Sequence, residues 1–312
     1  SVALLTASGT GAMEAAVLNF LGASDHVLVI NGGTFGQRWC DLCDVHSIAY
    51  TEYRLPYGAD VDLSHLSKLL ASHPITALLV NAHETSTGQL YDIEAIGALT
   101  RERGIFYIVD AISTICADLF CMDAWQIDVA VLSSHKALAL PPGLSFVAMS
   151  TGALKRLERG PARRTLYFDL KNYLDNQERG QMPYTPAIGL MMQLHQRLLD
   201  IQEQSLPALV SSHKHRAEAF RNAIADLPFR VLPSRSSDAM TALSCIDFDA
   251  TTLVEALKVR HGILVAPSGG ALKSKLIRIS HMGAQDARDL RVLVPALKAL
   301  SADKTLTNGH KQ

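Results

Sequence analysis

The chain has 312 residues with 29 basic and 30 acidic side chains, a balance that gives no reason to expect nucleic acid or an anionic membrane as partner. Its length suits one large domain with a substantial core plus a smaller companion, and no apolar run approaches the length of a membrane span. Five scattered cysteines and the lack of a cleavage signal fit a reducing, cytoplasmic setting better than a disulfide framework.

In chain order, the first half alternates short apolar runs with helical spacing. Strands are expected at Val2–Leu5, Val27–Ile30, Ile48–Tyr53, Ala77–Asn81, Phe106–Asp110, Val129–Leu132 and Ser145–Met149. Helices are expected at Ala12–Leu21, Gly36–Val45, Leu63–Ala71 and Ile93–Arg103. Strands apolar on both faces, alternating with helices, indicate an α/β fold: a mostly parallel sheet covered by helices on both faces. A charged, irregular stretch from Lys155 to Met182 follows, with Arg163-Arg164 inside it. Beyond it a helical connector over 188–206 leads from a large domain, 1–187, to a small α+β domain, 207–312. The small domain is expected to hold strands Thr241–Phe248, Ile263–Pro267 and Leu276–Ile279 and helices Thr251–Arg260 and Ala284–Leu300. The last dozen residues are polar and expected to fray. His213 and His215, in a charged helical stretch, read as surface residues.

Asp110 and Lys136 each end or closely follow an apolar run that reads as a buried strand. A poorly solvated lysine has a lowered pKa and an amine available to attack a carbonyl. A carboxylate nearby can pair with a protonated ring nitrogen, and pyridoxal phosphate uses both partners. Upstream, Ser8-Gly9-Thr10-Gly11 follows an apolar run and opens a helix, an arrangement whose free N–H groups suit a phosphate. A dinucleotide fingerprint fails at its third glycine, because Met13 and Glu14 stand there, and no Walker lysine follows. Ser8, Glu84, Asp110 and Lys136 all fall at or just after strand ends, where ligands of parallel sheets sit. Cys40, Cys43 and His46 could form a metal trio on paper. They lie on a helical segment beside Trp39 and Leu42, and core packing is the better reading, so no metal is expected.

Ser8-Gly9-Thr10, His83-Glu84-Thr85-Ser86-Thr87-Gly88, Val109-Asp110-Ala111-Ile112-Ser113, Ser134-His135-Lys136-Ala137-Leu138, Thr185-Pro186 and Ile277-Arg278-Ile279 occur in that order. Together they resemble the class V aminotransferases of pyridoxal phosphate fold type I. That group holds the alanine/serine–glyoxylate aminotransferases and the 2-aminoethylphosphonate–pyruvate transaminases. The resemblance implies that Lys136 forms the internal aldimine and moves the substrate α-proton, while Asp110 keeps the pyridine nitrogen protonated. It implies that Phe35 stacks on the ring, Ile112 packs on the opposite face and Thr85 bonds near the phenolic oxygen. Ser8, Gly9, Thr10 and His135 would hold the phosphate, with Thr185 reaching it from the partner of a homodimer. Arg278 would grip the substrate carboxylate through a bidentate fork. Met182 stands where some relatives place a tyrosine directed at the neighbour's phosphate. The chain opens inside the expected first strand, so an N-terminal family segment is expected to be missing.

The expected activity is ping-pong transfer of an amino group from a small amino acid of the alanine or serine type to glyoxylate or pyruvate. Aminoethylphosphonate–pyruvate transamination is the alternative within the group. A desulfurase would need a mobile cysteine, and Cys116, Cys121 and Cys245 lie outside any Gly/Ser-rich loop. A truncated paralogue that binds cofactor without turnover is the non-catalytic alternative.

Overall fold

The computed structural model describes every residue except 161–164, 247, 304–305 and 307–312. The first half runs β1 (Val2–Leu5), α1 (Gly9–Phe20), β2 (His26–Asn31), α2 (Thr34–Val45), β3 (Ala49–Arg54), α3 (Leu63–Ser72) and β4 (Ala77–Asn81). A short pair, β5 (His83–Glu84) and β6 (Gln89–Leu90), precedes α4 (Ile93–Glu102), β7 (Phe106–Asp110), β8 (Val129–Ser133) and β9 (Ser145–Met149). Then come α5 (Thr151–Arg159), α6 (Leu170–Glu178), α7 (Ile188–Gln204) and α8 (Leu206–Ala223). The chain ends with β10 (Phe229–Val231), β11 (Met240–Cys245), α9 (Ala250–His261), β12 (Ala266–Pro267), β13 (Leu276–Ser280) and α10 (Ala287–Ser301).

Seven strands form one sheet in the order β1-β9-β8-β7-β4-β2-β3. The neighbours from β8 to β3 are parallel, and β9 alone runs against the rest, pairing antiparallel with both β8 and β1. Val, Ile and Leu at successive positions of β4 and β7 are buried on both faces, as a covered parallel sheet requires. One face packs on α1, α2, α5 and α6 through Met13, Phe20, Trp39, Leu157 and Tyr173; the other packs on α3 and α4 through Leu66, Leu70, Ile93 and Ile96. The expected α/β fold type is therefore present, and the carboxyl ends of β1, β4, β7 and β8 open onto one edge.

A second sheet, β10-β11-β13-β12, is antiparallel throughout and shares a core with α8, α9 and α10 around Phe220, Leu253 and Leu297. Asp118 ties the two sheets together. Its buried carboxyl accepts from Ser237 Oγ at 2.5 Å and from Asp238 N at 2.7 Å.

Several expectations need correction. The stretch from 155 to 182 is not irregular, since α5 covers its start and α6 lies within it. Asp169 caps α6 by accepting from Lys171 N and Asn172 N, and only Leu170 and Tyr173 of this helix are buried, so the apolar signal is faint. The Arg163-Arg164 pair lies outside the described residues, as does most of the polar C-terminal tail. The strand expected at Ile263–Pro267 shrinks to β12. Gly262, at φ 67°, ends α9 in the left-handed region, and Ile263 N then returns to Leu257 O at 3.1 Å. The short strand β10 has no counterpart among the expected elements. His213 is buried rather than at the surface, with Nδ1 2.9 Å from Leu209 O; it shares the inward face of α8 with Leu209, Ala217 and Phe220.

Gly97 shows how closely α4 approaches the chain between β7 and β8. A Cβ there would lie 2.0 Å from Trp125 O, a backbone atom that cannot move aside freely. Gly97→Ala should therefore lose about 1–3 kcal/mol of stability from overpacking, although alanine is the better helix former. Urea unfolding of the two proteins checks this, and a variant as stable as the parent would show that α4 can shift.

Candidate functional site

The arrangement of β7 and β8 sets the site. They are adjacent and parallel, so Asp110, the last residue of β7, and the turn after β8 that carries Lys136 emerge together. Asp110 is 6% exposed. Its carboxyl accepts from Asn81 Nδ2 at 2.6 Å and from Ile112 N at 2.8 Å. Asn81 is its register partner on β4. Burial pushes the Asp110 pKa up to about 6, and the two hydrogen bonds and Lys136 hold it from rising further. Burial draws the Lys136 amine below its ordinary value; Asp110 opposes this, and Arg278 and Arg38 reinforce it. The amine is thus shifted towards its neutral, nucleophilic form.

The start of α2 forms one wall. Gly33 supplies no side-chain cap, and the buried Glu84 carboxylate takes over that task from β5. It accepts from Gly36 N at 2.8 Å, Phe35 N at 3.2 Å and Ser86 N at 3.0 Å. These hydrogen bonds at the helix start fix the backbone of Phe35. The Phe35 ring centroid lies 6.0 Å from Lys136 Nζ and 4.9 Å from Arg38 Cζ.

The start of α1 forms another wall. A Cβ on Gly9 would lie 2.5 Å from Ile112 Cδ1 and 3.3 Å from Ser133 Cβ, so the first turn of α1 closes tightly onto the ends of β7 and β8. Ser8 caps α1 by accepting from Gly11 N, and Thr10 Oγ1 accepts from Arg38 Nη1 at 2.9 Å. His135 is exposed, with Nδ1 2.8 Å from Ser133 Oγ. Thr85 Oγ1 shares a hydrogen with Ser113 Oγ at 2.7 Å. Arg278, on β13 of the second sheet, reaches across to donate to Thr85 O at 3.2 Å and also donates to Pro267 O at 2.9 Å; its buried Nε has no partner.

These contacts gather Gly9, Thr10, Phe35, Thr85, Asp110, Ile112, Lys136 and Arg278 at one edge, with Ser8 and His135 at its rim. Thr185 is exposed in the turn before α7, and among the described residues no hydrogen bond reaches its side chain. Arg38 and Asn81 belong to the site but do not stand out in the sequence. Arg38 lies one turn after Phe35, and Asn81 ends an apolar run as Asp110 does, which is the signal that could have found them. Cys40 and Cys43 are core residues of α2 whose thiols burial pushes up to about 12, while His46 pairs with Glu14 at 3.0 Å. Cys245 is pushed up to about 12 in the same way, which leaves little thiolate for desulfurase chemistry.

The model of the aminotransferase class-V family matches residues 3–290. The chain belongs to that family. It is a pyridoxal phosphate-dependent transaminase. It is 34% identical to the "Soluble hydrogenase, small subunit" of Synechococcus, over 98% of this chain and 81% of that protein. It is 31% identical to the L-aspartate–glyoxylate aminotransferase of Paracoccus denitrificans, over 90% of this chain and 73% of that one. The crystal structure of an alanine–glyoxylate aminotransferase from Nostoc superposes with a TM-score of 0.91 at 26% identity, covering 96% of this chain and 81% of that one.

The residues present fit the cofactor. Both ring nitrogens of His83, Asn81 Oδ1 and Arg278 Nε are buried without hydrogen-bond partners around this edge. Buried polar atoms are rarely left so, and a polar ligand would satisfy them.

Asp110 also yields a prediction for cofactor-free protein. Its folded pKa, about 6, lies above the unfolded value, so the native state binds its proton more tightly. That contribution is fully present below about pH 4 and is lost as pH rises through 6. Asp110→Asn should therefore be the more stable protein at pH 8, by about 2–3 kcal/mol, since each tenfold difference in proton affinity between folded and unfolded chains corresponds to ~1.4 kcal/mol. The two should converge near pH 4. Denaturant unfolding at both pH values checks this, and equal stability at pH 8 would contradict it.

Proposed function

We propose that this transaminase moves the amino group of a small amino acid, of the alanine or serine type, to glyoxylate or pyruvate. The transfer runs in two half-reactions, the first product leaving before the acceptor binds. The observation that carries the reading is the Lys136 amine and the Asp110 carboxyl held at neighbouring strand ends. The aminotransferases from Paracoccus and Nostoc support the acceptor, since both are named for glyoxylate although their donors differ.

When bound, the cofactor supplies an aldehyde carbon to carry the amino group and a ring that draws electrons from the substrate α-carbon. Lys136, its amine shifted towards neutrality by burial, would be the residue that holds the cofactor's aldehyde carbon and serves as base for the α-proton. Asp110, fixed by Asn81 and Ile112 N, would accept from a protonated ring nitrogen. Phe35 and Ile112 would pack against the cofactor ring. Gly9 and Thr10 at the helix start, with Ser8 and His135, hold the phosphate, and Arg38 adds positive charge beside Thr10. Arg278 keeps its Nε hydrogen and part of its fork for the substrate carboxylate. Thr85, beside Ser113, lines the phenolic side of the ring. Thr185, turned to solvent in one chain, serves a second copy, so the working unit is a homodimer. The same reading divides the chain into a large part up to residue 187, a connector, and a small part from 207 that carries Arg278.

An assay of amino transfer from alanine, serine and aminoethylphosphonate to glyoxylate and pyruvate tests this directly; no transfer from any donor would contradict it. Lys136→Ala should lower kcat by at least ~10³-fold, since one side chain serves as both nucleophile and base. Arg278→Lys should act on KM, weakening use of the carboxylate substrate by about tenfold or more, because an ammonium cannot reproduce the planar fork. Steady-state kinetics separate the two effects, and an Arg278→Lys variant with unchanged KM would remove Arg278 from this role.

A further inference from the structure

The β5–β6 hairpin, in which Glu84 and Gln89 are register partners, meets α2 on one side and the second sheet on the other. On the first side the Glu84 carboxylate holds the start of α2. On the second, Thr85 O accepts from Arg278 Nη1 at 3.2 Å. Gly88, at φ 81°, packs directly on β11: a Cβ there would lie 2.9 Å from Ala242 Cβ. Ala242 is the register partner of Arg278 on β13. The hairpin therefore touches the second sheet at the strand pair that carries the guanidinium.

Gln89 fastens this contact. Its side chain is buried, and Oε1 accepts from Ser234 Oγ at 3.0 Å, Ser234 N at 3.1 Å and Arg235 N at 3.4 Å. Its Nε2 donates to Leu90 O at 3.0 Å, which sets the way the amide faces. Beside it, Leu90 N donates to Arg235 O at 2.9 Å and Ser237 N to Gly88 O at 3.4 Å. Ser234 to Ser237 belong to the connection between β10 and β11. Gly58 O also accepts from Ser234 N, at 2.9 Å, and Asp118 holds Ser237 and Asp238. Gln89 differs from these anchors in standing on the hairpin that itself touches Ala242 and Arg278. A buried amide is costly unless paired, and its oxygen is paired here with the segment that leads into β11.

We propose that Gln89 is a positioning residue that holds the second sheet against the β5–β6 hairpin and so sets where the Arg278 guanidinium stands. The inference rests on the reading that Arg278 binds the substrate carboxylate. Removing the Gln89 oxygen leaves its three donors with fewer partners and lets the segment before β11 draw away from the hairpin. Arg278 then moves with Ala242, and a misplaced fork grips a carboxylate poorly.

The test compares alanine with alaninamide, which carries a neutral amide in place of the carboxylate. Each is titrated into the holoenzyme without acceptor and followed by the change in cofactor absorbance. The proteins are the parent, Gln89→Met, Gln89→Glu, Arg278→Met and the double variant Gln89→Met with Arg278→Met. Methionine keeps the length of the side chain without the oxygen; glutamate keeps an acceptor for the same donors. The preference of the parent for alanine over alaninamide should fall about fivefold or more in Gln89→Met and recover at least partly in Gln89→Glu. Arg278→Met should abolish the preference, and the double variant should lower it no further. Should Gln89→Met fail to fold, Gly88→Ala, which presses on Ala242, takes its place under the same criterion. An unchanged preference in Gln89→Met, or an equal loss of affinity for both compounds, would overturn the role of Gln89 while leaving that of Arg278 intact. A full preference retained in Arg278→Met would sink the underlying reading as well.

Discussion

The site depends on keeping an amine and a carboxyl out of water at the ends of two adjacent parallel strands. Either group alone would be costly there, and each eases the burial of the other. The remaining cost shifts both groups towards their neutral forms, which leaves the amine the better nucleophile. A solvated lysine would keep its ordinary pKa and lose that advantage.

The surrounding structure serves to hold this pair within a walled cleft. The Glu84 carboxylate docks the uncapped start of α2 and so presents Phe35 and Arg38 to the site. Gly9 lets α1 bring its free N–H groups to the same edge. Arg278 arrives from the other sheet, and its bond to Thr85 O, with the Asp118 contacts to Ser237 and Asp238, joins the two sheets next to the chemistry. Small relative movements of the sheets would thus alter the position of the Arg278 guanidinium.

Much of this was legible in the sequence because burial leaves a strong mark. Ile105 to Val109 and Val129 to Leu132 announce strands by uninterrupted apolar residues, and the ionisable groups Asp110 and Lys136, at or shortly beyond their ends, are conspicuous against that background. The same rule misled at Ile263–Val265, where an apolar run follows a left-handed glycine and packs beside α9 as a loop. It was silent for α6, whose outward residues are polar, and for His213, whose charged neighbours disguise an inward position. Arg38 reaches Thr10 only because two helix starts meet, a tertiary event with no local spacing to reveal it. The Glu84 cap on α2 escaped for the same reason, since 48 residues separate it from Gly36.

Treating the holoenzyme with borohydride, which fixes a carbonyl cofactor to the amine that holds it, followed by peptide mapping, tests the central claim most directly. The account predicts that the phosphopyridoxyl label falls on the peptide containing Lys136, and on no other lysine in substantial yield. A label elsewhere, or a protein that carries the cofactor but takes up no label, would contradict it.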